Sequence, residues 1–252
     1  MRQMPRKSTV SKLAELAPDQ WGLVTRRQAE AAGISRATMT RLAADDSVLA
    51  RVGRGVYHLV GAPIPDHLAL RVAWLQLAPG LPAWRRTAAE GVISHRSAAA
   101  LYGLGHLPDD EHEFIVPDRR RSRRPDVRLH LGKLRDDEWI NLHGLLVTRP
   151  ARIASDLLAD REEPGAVAQV IADALRDVLD YPGTFAGALA PHAARFGLRR
   201  GNGLGLLRQL LDLVSDPESD RWLDEARAHS AEGGDGHEHD TAAPQPTSIG
   251  QP

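Results

Sequence analysis

The sequence predicts an α+β protein in four parts: a winged helix-turn-helix at residues 1–62, a small mixed α/β domain at 63–160, a helical part at 161–228 and a disordered tail at 229–252. Three observations carry that expectation. Residues 25–60 hold, in order, a capped helix, a glycine turn, a second capped helix and two β-rich runs. Short strand-like runs follow between 114 and 148, and from Pro150 onward the apolar residues recur at helical spacing.

Residues 8–17 read as the first helix, with Ser8 as its N-cap and Val10, Leu13, Ala14 and Leu16 as its apolar side. Thr25-Arg26-Arg27-Gln28 matches a capping box, in which Thr and Gln each satisfy the other's end of a helix start. That helix runs to Ala32 and stops at Gly33, which accepts the left-handed conformation of a position just past a helix. Ser35 caps a third helix through Ala44. Residues 48–52 and 56–60 flank Gly53-Arg54-Gly55 as a hairpin. Residues 61–66, with Pro63 and Pro65, read as a stiff linker.

Beyond the linker the spacing predicts helices at 66–78 and 95–103, the latter opening at Ser94, whose side chain is expected to cap it. Phe114-Ile115-Val116 is a short apolar run. Val127, Leu129 and Leu131 alternate with Arg128 and His130 as a half-buried strand, and 142–148 reads as a third strand. The sheet they make is expected to be antiparallel. Pro150 and Pro164 sit where first-turn prolines belong. Ile153, Leu157 and Leu158 form one apolar stripe, and Val167, Val170, Ile171, Ala174, Leu175 and Val178 another. Helices at 184–196 and 204–215 complete the set. From 229 the chain turns to Gly, Pro, His and Thr with few bulky apolar groups, the composition of disorder.

Composition narrows the function. The 252 residues are 42% apolar and 26% charged, ordinary for a globular protein. No apolar run approaches a membrane span, and the basic N-terminus lacks the apolar stretch of a signal peptide. With no cysteine, disulfides and thiolate metal sites are impossible. A cytoplasmic protein with no membrane partner is expected. Only Lys7, Lys12 and Lys133 among the 32 basic residues are Lys, a bias that fits a GC-rich genome. The net charge of −1 hides a gradient. Residues 1–62 carry ten Lys and Arg against five Asp and Glu, a balance of +5; 63–160 stand at +1 and 161–252 at −7. A basic head suits a polyanion, because neutralised phosphates release their counterions. An acidic end suits a basic protein partner or solubility.

The ordered elements of 25–59 point to duplex DNA. Ala29 and Gly33 supply the small residue and the turn that a helix-turn-helix needs, and Ile34 its buried turn residue. On the next helix Ser35, Met39 and Leu42 share one face, and Arg36, Ala37, Thr40, Arg41 and Ala44 the other. Arg suits guanine acceptors, and small apolar groups suit the thymine methyl. Arg54 at the hairpin tip is placed to reach a phosphate or the minor groove. The candidate DNA contacts are therefore Arg26, Arg27, Ser35, Arg36, Ala37, Thr38, Thr40, Arg41 and Arg54. An exposed Arg-bearing helix face is, by itself, ordinary solvated surface. The succession of elements is what distinguishes this one.

Residues 24–29, 32–35 and Val52-Gly53-Arg54-Gly55-Val56-Tyr57 resemble the N-terminal domain of the AbiEi-type antitoxins of type IV toxin-antitoxin systems. Ser94-His95-Arg96-Ser97-Ala98-Ala99-Ala100-Leu101 looks like the opening of that family's second domain. The resemblance covers residues 1–160, with 161–228 agreeing only in being helical. It implies repression of the protein's own operon and neutralisation of a nucleotidyltransferase-type toxin. Similar N-terminal domains also occur on proteins with nuclease-like C-terminal domains.

Five Arg lie within Arg119-Arg120-Arg121-Ser122-Arg123-Arg124. Such crowding suits phosphate, which makes Arg119, Arg120 and Arg121 further DNA candidates, or else forms a solvated loop balanced by Asp109, Asp110 and Glu111. A metal nuclease of the restriction type needs an acid two residues before a Lys, where Leu131 stands before Lys133. Gly201-Asn202-Gly203-Leu204-Gly205 follows a helix and reads as a loop, and neither a P-loop nor a nucleophile elbow occurs. Ser94-His95 is too local for a catalytic pair. His237-Glu238-His239 lies in the tail with no fold to fix a metal. The Tyr and Trp spacing does not make a base-stacking platform. The expectation is a regulator of operator DNA with a cognate toxin as partner, no enzyme activity, no catalytic residue, no cofactor and no metal. The alternatives are a one-component regulator with a small-molecule effector and a DNA nuclease steered by its winged helix.

Overall fold

The structure, a computed structural model, describes residues 8–44, 48–108 and 110–232, with side chains to residue 228. Mixed α+β architecture is observed, with two sheets among the described residues.

The first part runs α1 (Thr9–Leu16), β1 (Leu23–Thr25), α2 (Arg26–Ala31), α3 (Arg36–Leu42), β2 (Leu49–Gly53) and β3 (Val56–Leu59). β3 lies between β1 and β2, antiparallel to both. The expected capping box is present: Thr25 Oγ1 accepts from Gln28 N at 3.1 Å and Gln28 Oε1 from Thr25 N at 2.9 Å. Gly33 takes φ +78°, and Ser35 Oγ caps α3 by accepting from Thr38 N at 3.1 Å. Leu13, Val24, Ala29, Ile34, Met39, Leu49 and Tyr57 close a small core. Burying Met39 and Ile34 alone contributes several kcal/mol, at about 1.5–3 kcal/mol per large side chain. Val10 and Ala14 are exposed, contrary to expectation, because α1 rests on this core by the single row of Leu13 and Leu16. α3 also ends at Leu42 rather than Ala44.

The second part adds α4 (Leu68–Leu77), β4 (Val92–Ile93), α5 (His95–Tyr102), β5 (His112–Val116), β6 (Val127–Leu131), β7 (Trp139–Leu142) and β8 (Leu145–Thr148). The sheet order is β6-β5-β4-β8-β7. It is mixed rather than antiparallel: β5 runs parallel to β6 and β4 to β8. The segment expected as one strand at 142–148 is half of a hairpin. His143 and Gly144, at φ +51° and +83°, make the two-residue turn between paired Leu142 and Leu145. Leu131 is 65% exposed, so the apolar alternation of β6 fails at its end. His130 turns inward instead, toward Glu113.

The remaining helices are α6 (Pro150–Ala159), α7 (Pro164–Arg176), α8 (Pro182–Leu189), α9 (Gly203–Leu213) and α10 (Ser219–Glu232). The helix expected at 184–196 divides at Ala190, where Pro191 leads into a tighter 3-10 segment. α10 was not expected; Trp222, Leu223 and Ala226 bury its one apolar row, and the helix carries the ordered chain past 229 to Glu232. The rest of the expected disordered tail lies outside the described residues.

The two parts are packed together. Leu23 and Val56 belong to the larger core with Trp74 and Leu75. Gln28 Nε2 donates to Leu81 O at 3.0 Å, Thr25 Oγ1 donates to Pro79 O, and Ala83 N donates to Gln20 Oε1 at 2.9 Å. Arg86 holds this 78–83 loop from inside, donating to Leu75 O and Ala78 O at 2.8 Å each and stacking 4.4 Å over Trp74. Burial lowers its pKa to about 10, so it stays charged at neutral pH.

Candidate nucleic-acid interface

The tight packing of wing on α4 creates the site. A Cβ on Gly53 would meet Val72 Cγ1 at 2.6 Å, so only glycine lets β2 approach α4 this closely. Gln76, on the same helix, donates to Arg54 O at 3.0 Å and accepts from Arg124 Nη1 at 2.9 Å. One side chain thus ties the wing tip to the arginine-rich loop between β5 and β6.

Between these walls runs a groove of about 1010 Å³. Its floor is apolar, from Val52, Val56, Val72, Ala73, Leu77, Val127 and Leu129. Its rim is cationic: Arg26 and Arg27 from α2, Arg36 from α3, Arg51 and Arg54 from the wing, and Arg120, Arg121, Arg123 and Arg124 from the loop. Among the described residues, no Asp or Glu lines it. Thr40 stands one turn past Arg36 on the same face of α3.

The rim charges are not equally available. Arg124 is clamped by Asp126, with Nε 2.9 Å from Oδ1 and a second, shorter bond from Nη2 to Oδ2. Arg26 pairs with Glu30 at 3.4 Å, and Arg120 donates to Glu90 O. Among the described residues, no carboxylate lies within ion-pair distance of Arg27, Arg36, Arg51, Arg54, Arg121 or Arg123. All six line the groove. Such a strip concentrates positive potential along one concave surface.

Of the residues expected from sequence, Arg26, Arg27, Arg36, Thr40, Arg54, Arg120 and Arg121 meet in this groove. Ser35, Ala37, Thr38, Arg41 and Arg119 do not line it. Ala37 and Arg41 are exposed further round α3, and the Ser35 and Thr38 hydroxyls face each other at 2.9 Å within the helix cap. Sequence reasoning missed Arg51 and Gln76, and named Arg123 and Arg124 only as members of the basic run at 119–124. The register irregularity between Arg51 and Gly53 re-aims the strand, so alternation gave no hint of Arg51.

A second polar cluster sits where β5, β6, α5 and α6 meet, around His95, Glu113, His130 and Asp160. Ser94 does not cap α5 as expected: its Oγ lies 2.9 Å from His95 Nδ1, and Glu113 Oε2 takes the capping role by accepting from Arg96 N at 2.9 Å. Burial, with the neighbouring His130, pushes His95 down to about 3. Burial also raises Asp156 on α6 to about 6, although Arg152 Nε donates to it at 2.8 Å. Among the described residues, no helix is long and apolar enough to cross a membrane.

These elements define the class: a winged helix-turn-helix whose recognition helix and wing border an arginine-lined groove. Residues 11–60 match the family model described as "Transcriptional regulator, AbiEi antitoxin", so the winged-helix segment carries that family's signature. A crystal structure of the RV2827C protein from Mycobacterium tuberculosis is similar over 87% of this chain and 82% of that one, at 17% identity and a TM-score of 0.47. No curated protein matches the chain.

Proposed function

We propose that the chain is a sequence-specific DNA-binding regulator that represses its own operon as the antitoxin of a toxin-antitoxin pair. The observation that carries the DNA half is the groove: nine arginines and, among the described residues, no acid, spread over α2, α3, the wing and the loop at 120–124. In this reading α3 enters the major groove with Arg36 and Arg41 toward base edges, and Arg27, Arg51, Arg54, Arg121 and Arg123 hold flanking phosphates. Phosphate contacts fix register and supply most of the affinity; base contacts choose the site. The apolar floor takes no phosphate and serves as the packing seam between wing and α4.

Labour is divided along the chain. Residues 1–62 carry base recognition, 63–160 add the 120–124 loop to the DNA surface, and 63–228 carry toxin neutralisation. The surplus acid of the C-terminal part and its exposed apolar groups Val178, Tyr181 and Leu213 support the last assignment. The family match at 11–60 supports the antitoxin role, and the toxin expected is of the nucleotidyltransferase type. A reporter driven by the region upstream of this gene tests repression: the full chain should silence it, and undiminished expression would remove the autoregulatory role. Co-expression with the neighbouring gene product tests neutralisation. Growth restored by the full chain supports it; continued arrest leaves the protein a DNA-binding regulator only.

A further inference from the structure

The polar cluster at the edge of the second sheet has the organisation of a cation site. His95 opens α5 at φ +51°, a conformation that L side chains rarely adopt and that recurs where local geometry is functionally constrained. Its Nδ1 is held by Ser94 Oγ at 2.9 Å. His130 Nε2 is held by Glu113 Oε1 at 3.2 Å, and Glu113 is 2% exposed. Each ring thereby has one nitrogen anchored. The other two, His95 Nε2 and His130 Nδ1, lie 3.9 and 3.8 Å from the same atom, Asp160 Oδ2.

We propose that His95 Nε2, His130 Nδ1 and Asp160 Oδ2 bind a zinc-type divalent cation, with Glu113 and Ser94 orienting the two imidazoles. Two imidazoles and one carboxylate suit zinc and its borderline neighbours. A ligating His typically has its second nitrogen bonded to a carboxylate or other oxygen, which sets tautomer and ring direction. Both rings here have such a partner. Three protein ligands leave a further coordination position for water or a substrate oxygen.

Binding requires one contraction, one reorientation of the stacked rings and one displacement. The 3.8 and 3.9 Å edges must contract to about 3.3 Å, the separation implied by ligand bonds of about 2.0 Å in a tetrahedron. The imidazoles, stacked with centroids 3.6 Å apart and planes at 16°, must tilt open so that their in-plane lone pairs converge. Asp160 sits at the C-terminal cap of α6 and is partly exposed, so it can follow. Arg128 Nη2 lies 3.0 Å from Asp160 Oδ2 and Nη1 3.7 Å from Glu113 Oε1, where its guanidinium does the neutralising that a metal ion would do. Its side chain is half exposed and free to swing into solvent. The cation and Arg128 therefore compete for Asp160.

The test uses the full chain after dialysis against a chelator, carrying His237→Ala and His239→Ala to remove the paired histidines of the tail. Zn²⁺ is titrated by calorimetry and Co²⁺ by visible absorption. The expected result is one ion per chain, with the intense Co²⁺ band of a low-coordinate site. His130→Ala and Asp160→Ala should each weaken binding at least about tenfold, and Arg128→Met should strengthen it by about tenfold. Absence of binding, or binding unchanged in His130→Ala and Asp160→Ala, overturns the proposal. If those two variants do not fold, Arg128→Met decides alone: affinity equal to or below that of the parent chain overturns it.

Discussion

Replacing Arg121 and Arg123 together by Gln tests whether the loop at 120–124 meets a DNA backbone. Both side chains are exposed and line the groove, and neither has a carboxylate partner among the described residues. Each phosphate contact contributes about 0.9 to the slope of log K against log salt on duplex DNA. Losing two contacts should reduce that slope by about 1.8. Over a rise from about 50 to 200 mM salt, the parent chain then loses about twelvefold more affinity than the double variant. The loss should be equal on operator and random duplex, since phosphates carry no sequence. Arg124→Gln is the contrasting variant: Asp126 already offsets its charge, so its slope should change less. Fluorescence anisotropy with a labelled duplex at several salt concentrations measures all three. An unchanged slope in the double variant would refute the reasoning and return the loop to solvated surface.

Three further perturbations follow from the same structure. Arg36→Ala should cost about 1–3 kcal/mol on the operator and much less on random DNA, as competition binding would show; equal losses would make Arg36 a phosphate contact. Met39→Ala should destabilise the winged helix by about 2–5 kcal/mol in urea unfolding, because Met39 is fully buried under α3; a cost under about 1 kcal/mol would mean the helix is not anchored there. Asp156→Asn should shift stability with pH. Burial raises the folded-state pKa of Asp156 from 3.8 to about 6, so its stabilising protonated form is fully present below 3.8 and lost as pH rises through 6. The Asn variant escapes that loss, and its stability relative to the parent should improve by up to about 3 kcal/mol between pH 4 and 7, at 1.36 kcal/mol per unit. A difference that does not vary with pH contradicts the assignment.

Local signals made the winged helix legible. Thr25 with Gln28, Gly33 and Ser35 mark helix ends through short-range hydrogen bonds and backbone conformation, which depend on a few adjacent residues. The second sheet was less legible because its pairings are long-range: nothing near Val92 announces that it pairs with Ile115 while Ile93 lies beside Val147. The His143-Gly144 turn lacks the Asn-Gly or Asp-Gly signature, and the apolar residues on both sides merged it into one apparent strand. Half of the groove was visible as arginines in a helix-turn-helix and in a basic run. That the two runs form one surface depends on Gln76 and Gly53, whose roles exist only once the wing rests on α4. The His95, His130 and Asp160 cluster draws on three separate elements, so no spacing in the chain reveals it.

The central claim is that the arginine groove binds duplex DNA, and its most direct test is the salt dependence of binding by the full chain to its own promoter and to a scrambled duplex in parallel. The five rim arginines assigned to phosphates set the expected slope at about −4.5, equivalent to about a five-hundredfold loss of affinity between about 50 and 200 mM salt. The promoter duplex should bind at least about a thousandfold more tightly than the scrambled one at physiological salt. A slope near zero, or equal affinity for the two duplexes, contradicts the account.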